Sequence, residues 1–255
     1  MSSRARNWTI RLVSLAVVLT AWELYGRSVN QTLFTYPVAI ARAFVELTSN
    51  GELQRYLMQS LEVLLYAFIF ALVIGIPLGV LLARSATLYT ALMPYLNAIY
   101  STPTVAFIPL IVLWFGFRVP AKVVIVFLFM VFPILINTQQ GVRNLDRGLL
   151  EVARSFCSNE RQLWADLIIP SALPFIIAGI NLAIGRGLVG MIVAEFFTSV
   201  AGLGYMIVQY ANSFETAKLF VPIVVVMCLG VGLIGLTKFL ERKIAPWQRH
   251  AQGDL

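Results

Sequence analysis

Histidine and cysteine are nearly missing from this chain. There is one histidine, His250, and there are two cysteines, Cys157 and Cys228, in 255 residues. The cysteines stand far apart and no C-x-x-C pair occurs, so neither a structural zinc site nor a redox dithiol is indicated. Charge is also scarce. Asp, Glu, Lys and Arg together make up 12% of the chain, about half of the roughly 25% usual in a soluble domain, which excludes an ordinary soluble protein. No G-x-x-x-x-G-K-[ST] string occurs, so these residues carry no P-loop. A membrane-embedded enzyme needs Ser, His, Asp or metal ligands clustered within its spans, and a lone tail histidine speaks against that class.

What the chain has instead is apolar length: 59% of it is hydrophobic. Uninterrupted by charge are Val63 to Ala83 (21 residues), Ser85 to Phe117 (33), Val123 to Val142 (20), Leu167 to Gly185 (19) and Leu219 to Thr237 (19). Each is long enough for a bilayer core, which takes about 20 residues of helix. A sixth stretch, from about Trp8 to Gly26, keeps Arg11 and Glu23 near its ends, where they can snorkel to the interface. The alternative for that stretch is a cleaved signal peptide, but Trp22, Glu23 and Tyr25 stand where small residues would mark cleavage. The expectation is an all-α membrane protein of six transmembrane helices.

Lys and Arg set the orientation. With the N-terminus in the cytoplasm, twelve of the 19 basic residues fall inside and six outside, and Arg186 lies within a span. Both termini are therefore expected in the cytoplasm. The net charge of +7 flanks apolar segments instead of forming one basic face, so no nucleic-acid partner is indicated. The domain expectation is a short cytoplasmic N-terminus (1–7), a membrane domain (8–243) and a cytoplasmic tail (244–255).

Along the chain, Pro37 opens a short interfacial helix with Ile40, Phe44 and Leu47 at helical spacing. Gly75 and Gly79 in GIPLG form a small-xxx-small pair that lets helices approach closely. The 33-residue run holds Pro94, Pro103 and Pro109 and is too long for one straight span, so a bent helix is expected. Broken backbone at membrane depth either lines a cavity or packs within protein. Ser101, Thr102, Pro103 and Thr104 are pathway candidates on the first reading and a plain kink on the second. Two G-x-G-x-x-G strings, at Gly185 and Gly230, lie inside apolar segments without a preceding strand, so they read as helix-packing glycines and not as a dinucleotide site.

The most informative polar stretch is the loop 142–171. Arg147 to Phe156 reads as one short helix, and Asn159 with Gln162 resembles a capping box opening a second, which Pro170 limits. Leu163, Trp164, Leu167 and Ile168 share a face away from Glu160, Arg161 and Asp166.

Within that loop stand Glu151, Val152, Ala153, three residues, Cys157, nine residues, then Leu167, Ile168, Ile169 and Pro170. The run resembles the EAA loop of ABC importer permeases: EAA, three residues, Gly, nine residues, I-x-L-P. Further pieces are similar to the permeases for aliphatic sulfonates, taurine and nitrate: GIPLG, Leu113 to Gly116, FPILINT at Phe132 to Thr138, VAEF at Val193 to Phe196 and GLGYMI at Gly202 to Ile207. The resemblance covers about Tyr36 to Lys243. It implies a type I (MetI-like) importer fold whose EAA helices dock in a groove of a separate ATPase subunit. Glu151, Val152, Ala153, Arg154, Cys157, Arg161, Trp164 and Pro170 would make or shape that contact. It also implies a second permease copy, two ATPase subunits holding ATP and Mg, and a soluble substrate-binding protein, with no cofactor in this chain. Cys157 departs from the motif's glycine, a position where a left-handed backbone or close partner approach is expected.

Arg186 and Glu195 are ionisable groups at membrane depth, and each calls for a reason. Nine residues apart, they sit about 13 Å apart along a helix and on opposite sides of it, so they do not pair with each other. Either they belong to the pathway, Arg186 drawing an anion and Glu195 lining the outer gate with Thr198 and Ser199, or each pairs with another span. Asn137 and Asn181 are lesser pathway candidates, alternatively interhelical hydrogen bonds. The rival function is an ion-gradient-driven secondary transporter, which would need internal repeats that are not evident here. Within the ABC class an amino-acid or molybdate branch is the other reading. The substrate is not readable from the sequence.

Overall fold

The computed structural model describes residues 3–30, 32–198 and 200–244. Ser199, His250 and the tail from residue 245 onward lie outside the described residues, as do residues 1–2 of the expected N-terminal segment.

Among the described residues every regular element is helical. The elements are α1 (Ser3–Ser28), α2 (Pro37–Ser49), α3 (Glu52–Arg84), α4 (Ala86–Ser101), α5 (Ile108–Phe115), α6 (Val119–Arg143) and α7 (Arg147–Ser155), then α8 (Glu160–Gln162), α9 (Ile169–Thr198), α10 (Leu203–Asn212) and α11 (Thr216–Ile244). Five helical stretches are long and apolar enough to cross a bilayer, or six if α4 and the Thr104–Phe115 arm, bent by 89° at their break, count as one span. The bend falls in the 33-residue charge-free run, where it was expected. The helix breaks at Pro103, which carries no N–H for the ladder, and α5 stops at Gly116, whose φ is +72.

By contacts the chain falls into two compact units, 1–60 with 201–227, and 61–200 with 228–255. In the first, α1 is joined to the loop after it by the Trp22 Nε1 donor on the Thr35 carbonyl at 2.9 Å. Glu23 accepts the Val38 N–H at 3.1 Å, capping the first turn of α2 where an anion is favoured. Its other oxygen pairs with Arg27 at 2.7 Å. α2 buries Ile40, Ala43 and Leu47; Phe44, expected on that face, is 42% exposed, because the stripe runs i, i+3, i+7 and passes it by. The start of α10 is fixed by the Ser60 hydroxyl, which accepts the Leu203 N–H at 2.8 Å.

The second unit is built on α6 packed along α9. Small residues set the spacing. A Cβ on Gly79 would stand 2.7 Å from the Leu135 carbonyl oxygen, and one on Gly190 2.7 Å from the Phe129 ring, so α3 and α9 approach α6 more closely than larger residues allow. In the second G-x-G-x-x-G string only the first glycine works this way: a Cβ on Gly230 would stand 3.1 Å from Leu188 Cδ1 of α9, whereas Gly232 and Gly235 meet nothing within 4 Å.

The apolar side chains that remain exposed on α1, α3 and α11, such as Val17, Val73 and Val231, are those that a bilayer solvates. Backbone polarity on these spans is satisfied internally by the helix.

Candidate functional site

Two places carry the residues singled out in the sequence. The first is a half-open cavity of about 270 Å³ in the second unit, lined by Tyr100, Thr104, Leu128, Phe129, Gly185, Arg186 and Val189. The 89° break delivers Tyr100 and Thr104 to it from either side of Pro103, and α6 and α9 supply the rest. The Arg186 guanidinium stands 5.0 Å from the centroid of the Tyr100 ring, a cation–π distance. The Tyr100 ring in turn leans on Phe132, centroids 5.7 Å apart. Arg186 is exposed within the chain and lines the cavity, and it forms no ion pair among the described residues. Gly185 leaves the floor open, with nothing near a would-be Cβ. The result is a cation and aromatic faces around one small space.

Of the other candidates at the break, Ser101 and Pro103 are exposed and Thr102 donates to the Ala98 carbonyl at 2.9 Å, serving its own helix end. Asn137 donates to the Pro133 carbonyl at 2.8 Å within α6. Asn181 accepts from the Thr237 hydroxyl of α11, a bond between helices.

Glu195 is wholly buried, and Thr198 is nearly so, its hydroxyl bonded to the Ala194 carbonyl at 2.9 Å. The counter-charge acting across the α6–α9 contact is Lys122, itself 4% exposed. Sequence reading missed Lys122 because it counted that residue into an external loop. The signal was there: Pro120 opens α6, which places Lys122 inside its first turn. Tyr100 was missed too, although an aromatic three residues before a breaking proline is an available marker.

The second place is the loop between α6 and α9. Asp146 caps α7, accepting the Gly148 N–H at 2.8 Å. α7 ends where Cys157 takes φ +56. Ser158 N–H reaches the Ala153 carbonyl at 3.2 Å and Cys157 N–H the Arg154 carbonyl at 2.8 Å, the two bonds of a Schellman end. The motif's glycine position therefore needs a left-handed backbone, and cysteine occupies it under strain. Asn159 and Gln162 form the expected capping box, each side chain bonded to the other's backbone N–H at 2.9 and 3.0 Å. Pro170 does not end the second helix. α8 runs on through a π-helical stretch, Leu163–Ile168, into α9, and the widened ladder accommodates a proline that lacks an N–H and crowds the preceding turn.

Leu149, Val152 and Phe156, spaced by three and four on α7, are exposed, Phe156 by 82%. Glu151, Arg154 and Arg161 are exposed around them, and Ala153 is half-buried. Trp164 lies under the Arg84 guanidinium, 5.7 Å from its ring centroid, and Arg143 stands 3.9 Å from that of Tyr89. These cation–π pairs fix the loop's neighbouring helix ends.

Residues 75–246 match the family described as binding-protein-dependent transport system inner membrane component. The chain belongs to that family. This permease is 34% identical over 249 residues to the SsuC permease protein of Bacillus subtilis (strain 168), named for aliphatic sulfonates transport, with 97% of this chain and 90% of that one covered. It is 29% identical over 234 residues to the formylaminopyrimidine transport permease protein ThiX of Halalkalibacterium halodurans, covering 91% and 93%. The fold is also that of a solved chain of the MetNI methionine ABC transporter in an inward-facing conformation, with TM-score 0.57 at 22% identity over 74% of this chain and 92% of the other. The permease is thus a helical, membrane-spanning transport component of the ABC importer class, with the MetI-like fold, and it acts in an inner membrane.

Proposed function

We propose that this permease forms half of a translocation pathway for a small organic anion of the aliphatic sulfonate kind. A second copy of the chain supplies the other half. A soluble binding protein delivers the solute from outside, and two separate ATPase subunits, holding ATP and Mg, drive the cycle from inside. Both termini and the loop 142–171 lie in the cytoplasm, as the distribution of Lys and Arg requires; this chain takes no cofactor of its own.

The observation that carries the reading is the exposed Leu149, Val152 and Phe156 face on α7. A helix with such a face, held by a cap at one end and a Schellman turn at the other, fits a groove in a partner protein. Glu151, Arg154 and Arg161 surround it as the polar rim. ATP-driven closure of the ATPase pair moves two such loops and shifts the pore between inward- and outward-facing states. Anion preference is supported by Arg186 beside Tyr100, a cation presented to a cavity at membrane depth, which is a costly placement without a use. Of the pathway candidates, this reading rests on Thr104 and Arg186, with Tyr100 added to them by the cavity.

The test is co-purification with the ATPase subunit, followed by ATP-dependent uptake of a radiolabelled alkanesulfonate in vesicles. V152D and F156D are expected to abolish both. Stable ATPase binding after deletion of 151–165, or labelling that finds the segment outside, defeats the reading.

A further inference from the structure

The turn after α10 holds a phenylalanine where a glycine is at ease. Phe214 has φ +56, in the left-handed region that bulky side chains avoid. Its N–H bonds the Ala211 carbonyl at 3.2 Å, and Glu215 N–H bonds that of Tyr210 at 3.0 Å, which pins the strained turn. The ring gains no packing from this: it is 64% exposed. A residue kept for stability would be buried, and one kept for the turn alone would be glycine. An observed outlier of this sort points toward function.

The surroundings are those of an interaction surface. Beside Phe214 lies a pocket of about 340 Å³ whose walls include Tyr36, Arg42, Glu46 and Lys218. Lys218 is tied to Glu46 at 3.0 Å and to Glu215 at 2.9 Å, which clamps α2 to the start of α11. Arg42 is exposed and stands outside those ion pairs, so the pocket offers one cation next to one aromatic knob. Beneath it the Tyr210 hydroxyl donates to Glu52 at 2.9 Å. What the platform presents is an exposed aromatic ring with an exposed arginine beside it, two residue types enriched at interface hot spots. The Lys and Arg distribution along the sequence assigns Arg42 and Lys218 to the outer side of the membrane, the side from which the proposed binding protein arrives.

We infer that Phe214 and Arg42 are the docking point for the soluble substrate-binding protein, which offers an apolar socket for the ring and an acidic rim for the guanidinium. This rests on the proposed function above. The experiment uses the full transporter in nanodiscs, with its ATPase subunits and the binding protein of the same system. F214G relieves the backbone strain while removing the ring. The expected result is an unchanged or higher melting midpoint, intact ATPase co-purification and basal ATP hydrolysis, and binding-protein affinity lowered about thirtyfold. R42E lowers affinity about tenfold and changes its dependence on salt, as rim charges do. Unchanged affinity in F214G overturns the docking assignment, as does a loss of basal hydrolysis, which marks a structural role, or a loss of dimer mass, which marks contact with a second copy. If the wild-type complex holds its ATPase but no binding protein stimulates it, the proposed function fails instead.

Discussion

The guanidinium of Arg186 lies 5.0 Å from the centre of the Tyr100 ring, across a helix break that turns the chain by 89°. The pairing joins a charge on α9 to an aromatic on α4 without neutralising it, since a π face attracts a cation yet leaves it free to meet an anion.

R186Q is therefore expected to lower uptake of an anionic substrate about tenfold, equivalent to about 1.4 kcal/mol, with assembly and basal ATP hydrolysis unchanged. Y100L, which removes the ring face, is expected to lower uptake about threefold, and Y100F to leave it near wild type. Initial rates in vesicles at saturating binding protein measure both effects.

The charges of Lys122 and Glu195 act on each other across the packed α6–α9 pair, and both residues are buried. Removing either charge takes a favourable interaction from the other, so K122M or E195Q is expected to destabilise the protein by about 3 kcal/mol. The double replacement K122M/E195M is expected to recover most of that loss, because neither buried charge then remains. Thermal melting of the detergent-solubilised protein, arranged as a double-mutant cycle, measures the coupling.

At Cys157 the backbone already has the conformation that glycine prefers. C157G is expected to stabilise the end of α7 by about 1 kcal/mol, and C157V to weaken it by more than that, since a β-branched side chain tolerates positive φ least. Hydrogen-exchange protection of residues 150–158 reads the change locally.

Helix spacing supplies a further case. G79V would put a Cβ 2.7 Å from the Leu135 carbonyl oxygen, and no rotamer moves that atom. A loss of about 2 to 3 kcal/mol is expected, seen as a lower melting midpoint or failure to accumulate in the membrane.

Tyr210 gives a prediction in pH. Burial, reinforced by its hydrogen bond to Glu52, holds its hydroxyl pKa above the ordinary value. The folded state therefore keeps its proton where the unfolded chain loses it. The stabilisation is full below about pH 10, the ordinary tyrosine value, and is lost as pH rises through the folded-state pKa. Y210F is expected to flatten this alkaline decline while lowering stability at neutral pH, measured by melting midpoints from pH 8 to 11.

The spans were legible because membrane crossing imposes length and apolarity, and both can be counted. The capping box at Asn159 and the left-handed turn at Cys157 were legible because they depend on near neighbours in the chain. Three features were not. The burial of Lys122 depends on which way the first turn of α6 faces, and its proximity to Arg118 drew it into the loop. The π-helical stretch before Pro170 is a choice between ending a helix and widening it, and tertiary contacts along α9 decide that choice. Phe214 at positive φ goes against the residue preference of its own turn, so no local rule anticipates it.

The π-helical stretch has a geometric consequence. A π turn holds one residue more than the α ladder requires, and one residue of an α-helix corresponds to about 100° of rotation. Leu163–Ile168 therefore sets the rotational phase between α8 and the membrane span α9 while the helix stays unbroken, and the faces that α9 turns to its neighbours are offset by that one residue from those an uninterrupted α ladder would present.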